Sequence, residues 1–251
     1  MSHPEQSGFF AAVAACNRPL IKGGRILEIG SYDVNGSVRT LFDESGEYIG
    51  VDLKEGPGVD VVSYGHEVDY ADAHFDMTLS GECFEHDPYW RETFLNMVRM
   101  TRQDGLVVFT CASRGRVEHG TSRTDRMQSP GTQSKGLDYY GNLSERDFET
   151  KVRLDELFVE YRFWYMPTSL DLYFVGVRAG DSIKATRVGG QLPDDSKVVQ
   201  LRSLMPFRSR IHRIPLRIMA VVVPKARFQS FALPYWSTFL RVSDKVHGRH
   251  A

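Results

Sequence analysis

The sequence predicts an α/β fold: a mostly parallel sheet with helices on both faces, an antiparallel closing strand and a basic C-terminal appendage. Three observations carry this prediction. Short apolar runs alternate with helix-like segments, the pattern of βαβ units. Two late strand-like runs read together as an antiparallel hairpin. The pattern stops near Gly180, where the composition changes.

The elements follow in order. Residues 5–16 form a short helix that ends before Asn17-Arg18-Pro19. Arg25-Ile26-Leu27-Glu28-Ile29-Gly30 is an apolar run closed by Gly, as expected of a buried parallel strand. Residues 35–42 fit a helix, 48–53 a second strand and 58–62 a short third one. Residues 75–80 read as a fourth strand. Between 88 and 100, Trp90, Phe94, Met97 and Val98 fall on one helix face. Residues 105–110 make a fifth strand. The polar stretch 111–141, rich in Gly, Ser, Thr and Arg, is a long loop, and long loops in compact domains are usually functional or mobile. Ser144 caps a helix whose first turn holds Glu145 and Asp147. Residues 158–164 and 171–177 are the late strands. Right-handed crossovers place the strand ends along one edge, where ligands bind.

Composition narrows the class. Of the 251 residues 41% are hydrophobic and 25% charged, ordinary globular values that exclude collagen-like, disordered and coiled-coil proteins. The net charge of −1 hides an asymmetry. From Asp181 onward there are 13 basic and 4 acidic residues, while the remainder holds 18 basic and 28 acidic ones. The chain thus divides into residues 1–180 and an appendage, 181–251, with its own docking, dimer or membrane-surface role. Cys16, Cys83 and Cys111 are odd in number and widely spaced, which argues for a reducing compartment. The N-terminal apolar run is short and follows no basic region. No stretch approaches the ~20 apolar residues of a spanning helix. The expected location is cytoplasmic, or peripheral to a membrane.

The sharpest motif is Leu27-Glu28-Ile29-Gly30-Ser31-Tyr32-Asp33-Val34-Asn35-Gly36. A strand ends in Gly, which lets a ligand approach the backbone closely. About twenty residues on, a second strand ends in Asp52, placed to accept from both hydroxyls of a ribose. The pattern lacks the G-x-G-x-x-G of dinucleotide sites. Glu28 would repel a phosphate and suits a ligand with an ammonium group. A nucleoside without a pyrophosphate fits these residues.

At these positions the chain resembles the class I S-adenosylmethionine-dependent methyltransferases. Their first strand commonly reads hydrophobic-E-hydrophobic-G, and their second ends in the ribose acid. Phe75-Asp76-Met77-Thr78-Leu79-Ser80-Gly81-Glu82-Cys83-Phe84-Glu85-His86 is similar to the family's fourth-strand motif, and Asp104-Gly105-Leu106-Val107-Val108 to its fifth, with Asp104 where a second Gly is usual. The resemblance spans about residues 20–180. It implies a Rossmann-like domain, S-adenosyl-L-methionine as cofactor and S-adenosylhomocysteine as product. It places Glu28, Gly30, Ser31, Tyr32, Asp52, Leu53, His66, Cys83 and Phe84 at the cofactor. Tyr32 either lies against the cofactor or covers the loop. His66 is a cofactor contact or an exposed loop residue, and Cys83 and Phe84 wall the pocket or pack in the core.

Transfer from a sulfonium is an in-line displacement that depends on positioning the nucleophile, and a hydroxyl acceptor also needs a base. His86 and His119 are the candidate bases, since histidine titrates near neutrality. The alternatives are that His86 holds its loop and that His119 is a solvated loop residue. Arg114 and Arg116 either grip an anionic substrate or are solvated. Tyr139 and Tyr140 stack on a substrate ring or pack a lid. The clustered Asp and Asn ligands of metal-dependent O-methyltransferases cannot be assembled, so no metal is expected.

The leading expectation is O-methylation of a small-molecule or glycan hydroxyl. The alternatives are a methyltransferase for a lipid or quinone precursor at a membrane face, and a non-catalytic nucleoside-binding module. Residues 201–228 carry seven basic and no acidic residues among large apolar ones, which suits a membrane surface or a partner, including a second copy of the chain, over residues 201–240. Pro206, Pro215 and Pro224 are expected to interrupt any helix there. No nucleic-acid module is recognisable.

Overall fold

The computed structural model describes residues 3–180 and 188–247, with side chains through residue 241. Helices α1 (Pro4–Cys16) and α2 (Arg18–Ile21) precede β1 (Arg25–Ile29). Strands β2 (Glu47–Asp52), β3 (Val61–Val62) and β4 (Phe75–Gly81) follow, then α3 (Trp90–Met100) and β5 (Thr101–Ala112). A long loop holds α4 (Pro130–Ser134) and leads to α5 (Glu145–Lys151), α6 (Leu154–Leu157), β6 (Phe158–Met166) and β7 (Asp171–Arg178). Helices α7 (Asp195–Gln200), α8 (Phe207–Val222) and α9 (Lys225–His247) complete the described chain.

The sheet has seven strands in the order β3-β2-β1-β4-β5-β7-β6. β1 to β5 pair in parallel. β7 inserts antiparallel between β5 and β6. The expected α/β sheet with an antiparallel closing strand is therefore present. The order reverses at β1 and β4, and the carboxyl ends of these strands open the crevice of a doubly wound sheet.

Alternation along the strands builds a core on each face. Leu27 and Ile29 of β1, Val107 and Phe109 of β5, and Phe174 of β7 join α3 and α5 on one side. Ile26, Val108, Tyr173 and Val175 join α1, α2 and α7 on the other. In β4 the register shifts between Phe75 and Met77. That irregularity lets Phe75 face the first core while Met77 and Leu79 face the second. Each large side chain buried in this way contributes about 1.5–3 kcal/mol. Ser144 caps α5 as expected, in a capping box with Asp147. Asp104, which stands where Gly is usual, adopts φ +58°, so the backbone keeps the glycine-like turn.

Three expectations need correction. The helix over 35–42 does not form; only Arg39–Phe42 makes a 3-10 turn. Gly36 sits at φ +111° and donates its N–H to Asp33 Oδ1 at 2.7 Å, a local turn that competes with helix nucleation. The third strand is shorter than 58–62, because Gly58 turns at φ +84° before the chain becomes extended. Pro215 does not interrupt α8, which runs through it, whereas Pro224 does separate α8 from α9. The predicted domain boundary after residue 180 abuts residues 181–187, which lie outside the described ones.

The C-terminal helices pack on the sheet domain. Leu216 of α8 and Phe228 and Ala232 of α9 form a small core with Val117 and Leu170. Gln229 reaches into the loop after β5: its Oε1 accepts from the Glu118 N–H at 2.9 Å. Its Nε2 donates to the Arg116 carbonyl at 3.0 Å and to Asn142 Oδ1 at 2.8 Å. α9 therefore fixes the backbone just before His119.

Candidate active site

A cavity opens at the carboxyl ends of β1, β2 and β4. Glu28, Gly30, Ser31, Tyr32, Asp52, Leu53 and Cys83 line it, together with His86. Gly30 is required by both conformation and space. Its φ is +82°, and a Cβ there would stand 2.7 Å from Cys83 Cβ. The strand end therefore presents bare backbone to the cavity.

Asp52 is held by two backbone donors. Leu53 N–H donates to Oδ1 at 2.7 Å and Tyr32 N–H to Oδ2 at 3.2 Å. Burial still pushes its carboxyl above the ordinary value, more than these donors lower it. Gly131 lies directly over this carboxylate, where any side chain would collide with Oδ1. Ser129, Pro130, Gly131, Thr132 and Leu137 thus roof the cavity.

Glu28 accepts from the Tyr48 hydroxyl at 2.7 Å. Burial raises its pKa from 4.5 to about 7. Arg39, which bonds the Tyr48 carbonyl at 2.9 Å, is close enough to oppose that rise. A ligand ammonium beside Glu28 would favour the carboxylate and release its proton. The sign follows: below pH 4.5 the group is neutral in both folded and unfolded chains, and the folded state loses stability as pH rises from there through about 7. Replacing Glu28 by Gln is expected to remove this slope and to abolish proton release on cofactor binding. Calorimetry near neutral pH in buffers of different ionisation enthalpy reads the released proton directly; equal release by wild type and variant would refute the assignment.

Beyond Asp52 the cavity ends in a buried polar cluster. Glu82 follows β4 at φ +52°, an uncommon conformation for a residue with a side chain. Both its carboxylate oxygens are buried without a hydrogen-bond partner. The nearest cation among the described residues is Arg116, whose Nη2 stands 3.9 Å from Glu82 Oε2 and whose Nη1 stands 3.3 Å from Asp171 Oδ1. His3 Nε2 meets Asp171 Oδ2 at 2.6 Å. Glu85 is fully buried, and its Oε1 lies 3.9 Å from His119 Nε2. The His86 and His119 rings are 4.9 Å apart, and Tyr140 packs against both. Burial, reinforced by Arg116, lowers the pKa of His86 to about 3 and that of His119 well below its ordinary value.

Several expected site residues sit elsewhere. Phe84 does not line the cavity; it is fully buried and packs on Phe94, Phe109 and Phe148. His66 stacks beside Tyr64 and Tyr89, and it is Tyr64 and Gly65 that reach the cavity. Arg116 is engaged by Glu82, Asp171 and the Ser169 carbonyl, so it is not an anion grip. Arg114 faces a separate groove beside α8, lined also by Ile214, Ile218 and Val221. Tyr140 donates to the Val117 carbonyl at 3.2 Å and closes the histidine pair from one side. Tyr139 packs its hydroxyl end beside Gly141 and does not line the cavity. Gln6 and the 128–132 segment do line it, and sequence reasoning misses both. Only the turn-forming Ser129-Pro130-Gly131 hints at the second.

Residues 35–109 match a family model described as a methyltransferase domain. No curated protein matches the chain. Among solved structures it is similar to the 1,6-didemethyltoxoflavin-N1-methyltransferase of Burkholderia thailandensis, crystallised with S-adenosylhomocysteine. That match has 18% identity and a TM-score of 0.47, and covers 69% of this chain and 79% of the other. It is also similar to phosphoethanolamine N-methyltransferase 2 of Haemonchus contortus in complex with S-adenosyl-L-methionine, at 16% identity and TM-score 0.48, over 67% of this chain and 52% of the other. The YcgJ protein of Bacillus subtilis matches at 15% identity and TM-score 0.47, over 90% of this chain and 87% of that one.

The strand order, the Glu28–Gly30 turn and Asp52 at the end of β2 form a doubly wound sheet whose ligand edge suits a nucleoside. Residues 35–109 carry the match to the methyltransferase-domain model, and the site holds the residues by which the sequence resembles the class I S-adenosylmethionine-dependent methyltransferases. The residues present fit that cofactor: a bare-backbone turn at Gly30, an acid for the ribose and a buried Glu28 for the ammonium.

Proposed function

We propose that the protein methylates a hydroxyl of a small-molecule or glycan acceptor. The observation that carries this reading is the end of the cavity, where Glu82 and His86 stand with Glu85 and His119 close behind. These are proton-accepting groups, which a hydroxyl nucleophile needs. S-adenosyl-L-methionine supplies an electrophilic methyl on a sulfonium. Glu28, Asp52 and the Gly30 turn orient it, and the 128–132 segment excludes water. In the transfer the acceptor oxygen would bond the methyl carbon as the carbon–sulfur pair stays on sulfur, and the hydroxyl proton would pass to the buried cluster, where Glu82 stands at the cavity end beside the weakly basic His86 and His119.

Mass spectrometry of products from a panel of hydroxyl- and amine-bearing acceptors tests this. Methyl on oxygen is the expected result. Methyl found only on nitrogen refutes the acceptor class, and cofactor binding without any transfer supports a non-catalytic module.

A second reading concerns where the acceptor resides. On α8, Phe207, Ile211, Ile214, Ile218 and Val221 recur every three or four residues and are all exposed, Val221 by 85%. That spacing makes one apolar stripe, and Arg217 stands beside it, exposed. Such a helix suits an anionic membrane surface and favours a lipid or quinone-precursor acceptor. Among the described residues, no helix is long and apolar enough to cross a membrane. Changing Ile218 and Val221 together to Glu is expected to weaken sedimentation with anionic vesicles at least about tenfold, since each apolar side chain contributes about 1.5–3 kcal/mol when buried. Equal sedimentation of the two proteins would sink the membrane reading.

A further inference from the structure

The buried cluster behind the cavity has more unsatisfied polar atoms than a proton relay needs. Glu85 is fully buried, His86 is 5% exposed and His119 is 8% exposed. Both Glu85 carboxylate oxygens, His86 Nδ1 and His119 Nε2 lack a hydrogen-bond partner. Leaving a buried donor or acceptor unpaired costs about 1–3 kcal/mol each. Several in one spot call for something that binds them together.

We infer that Glu85, His86 and His119 form a binding site for one divalent transition-metal ion of the zinc type. One ligand atom from each residue lies within 4.8 Å of the other two. An ion with bonds of about 2.1 Å holds tetrahedral ligands roughly 3.4 Å apart, so binding would draw these atoms together by about 1.4 Å at most. The donor set of two imidazoles and one carboxylate suits zinc or a neighbouring transition ion better than magnesium or calcium, which favour all-oxygen shells. Three protein ligands leave a fourth position open, as in catalytic rather than structural zinc sites.

The surroundings point the same way. His119 places Nδ1 3.3 Å from the Val117 carbonyl, which assigns the proton to that nitrogen and leaves Nε2 bare. The His86 ring is set edge-on against His119 and Tyr140, with ring centroids 4.9 and 5.4 Å away. Metal-bound histidines characteristically use the second ring nitrogen on a carbonyl as His119 does, fixing tautomer and ring orientation. The Val117 backbone lies in the loop that Gln229 of α9 anchors at Arg116, Glu118 and Asn142. The C-terminal helices therefore hold the metal-binding geometry from outside.

The site also accounts for two buried carboxylates, Glu82 and Glu85, being gathered in one place. Arg116 is the nearest described cation to Glu82, at 3.9 Å, and also faces Asp171. A dication would offset the second carboxylate. Because His86 and Glu82 line the cavity itself, a hydroxyl at the open position would lie at the methyl-transfer end, with its pKa lowered by the ion. This use of the site rests on the hydroxyl-acceptor reading; the binding site does not. With the ion bound, the histidines are ligands, and Glu82 is the group left to take the proton.

The test is metal binding by the full chain without cofactor or acceptor. Chelator-stripped protein is titrated with Co²⁺ as a spectroscopic probe and with Zn²⁺ and Mg²⁺ by calorimetry. One equivalent of Co²⁺ with a nitrogen–oxygen ligand spectrum, displaced by Zn²⁺, is expected. Glu85→Gln, His86→Asn and His119→Asn should each weaken Zn²⁺ binding at least about tenfold, with thermal melts confirming that each is folded. If any variant fails to fold, the wild-type stoichiometry and the Co²⁺ spectrum decide. No binding by wild type, binding of Mg²⁺ but not Co²⁺, or unchanged affinity in the folded variants overturns the assignment. Because no acceptor is present, failure here leaves the hydroxyl-methylation reading to its own product assay.

Discussion

Asp52→Ala is expected to weaken S-adenosyl-L-methionine binding roughly 100-fold, about 3 kcal/mol, with S-adenosylhomocysteine affected equally. The size follows from what the carboxylate does. It ends β2 and lines the cavity, with its oxygens oriented by the Leu53 and Tyr32 N–H groups at 2.7 and 3.2 Å. A ribose offers it two donors, and hydrogen bonds to an ionised group are worth about 1.5–3 kcal/mol each. Burial opposes its ionisation, so ligand donors that favour the anion act against that opposition. Asp52→Asn keeps one acceptor and should retain part of the affinity. Tyr32 N–H loses its partner in the alanine variant, so a melting curve must accompany the calorimetry. Unchanged affinity in a folded variant would place the ribose elsewhere.

Arg116→Met is expected to lower stability by about 3–5 kcal/mol at neutral pH, the typical cost of removing one partner from a buried charge group. Arg116 stands between Glu82 and Asp171 with its side chain 12% exposed. Burial alone would raise the Asp171 pKa, but Arg116, aided by His3, holds it below the ordinary value of 3.8. A depressed carboxylate stabilises the fold above its unfolded pKa and loses that contribution as pH falls through its folded one. The gap between wild type and variant should thus be widest above about pH 4 and narrow below it. Glu82 moderates the effect, because burial and Asp171 already push its carboxyl upward. Urea unfolding at several pH values checks both the size and the direction; a loss under about 1 kcal/mol at neutral pH would show that the network is not held by Arg116.

The first of these residues is legible in the sequence and the second is not, and the reason is physical. Asp52 is placed by its own strand. A run of apolar residues specifies a buried β-strand, the strand fixes where its last residue points, and a parallel sheet puts that end at the ligand edge. The same logic gives Glu28 and Gly30. Arg116, in contrast, lies in a polar loop, where solvation is the ordinary fate of a charge. Its burial depends on Asp171 at the start of β7, Glu82 after β4 and the loop's anchoring by Gln229 of α9.

Phe84 and His86 make the same point within one turn. Their spacing after β4 says that both stand near the cavity, but a 3-10 turn sends them apart: His86 to the cavity, Phe84 into the aromatic core. Residues 35–42 show the limit of periodicity, since one hydrogen bond from Gly36 to Asp33 is enough to replace a helix with a loop.

By itself, then, the sequence determined the order of the sheet elements, the cofactor turn and the ribose acid, because each is a property of a few adjacent residues. Only the tertiary structure decided which loop residues became buried and what they faced. His119 stands far along the chain from Glu85 and His86, and no local rule brings the three within 4.8 Å. Packing of α9 on the loop after β5, and of that loop on the end of β4, does so, because burial and proximity are set by the whole fold rather than by spacing along the chain.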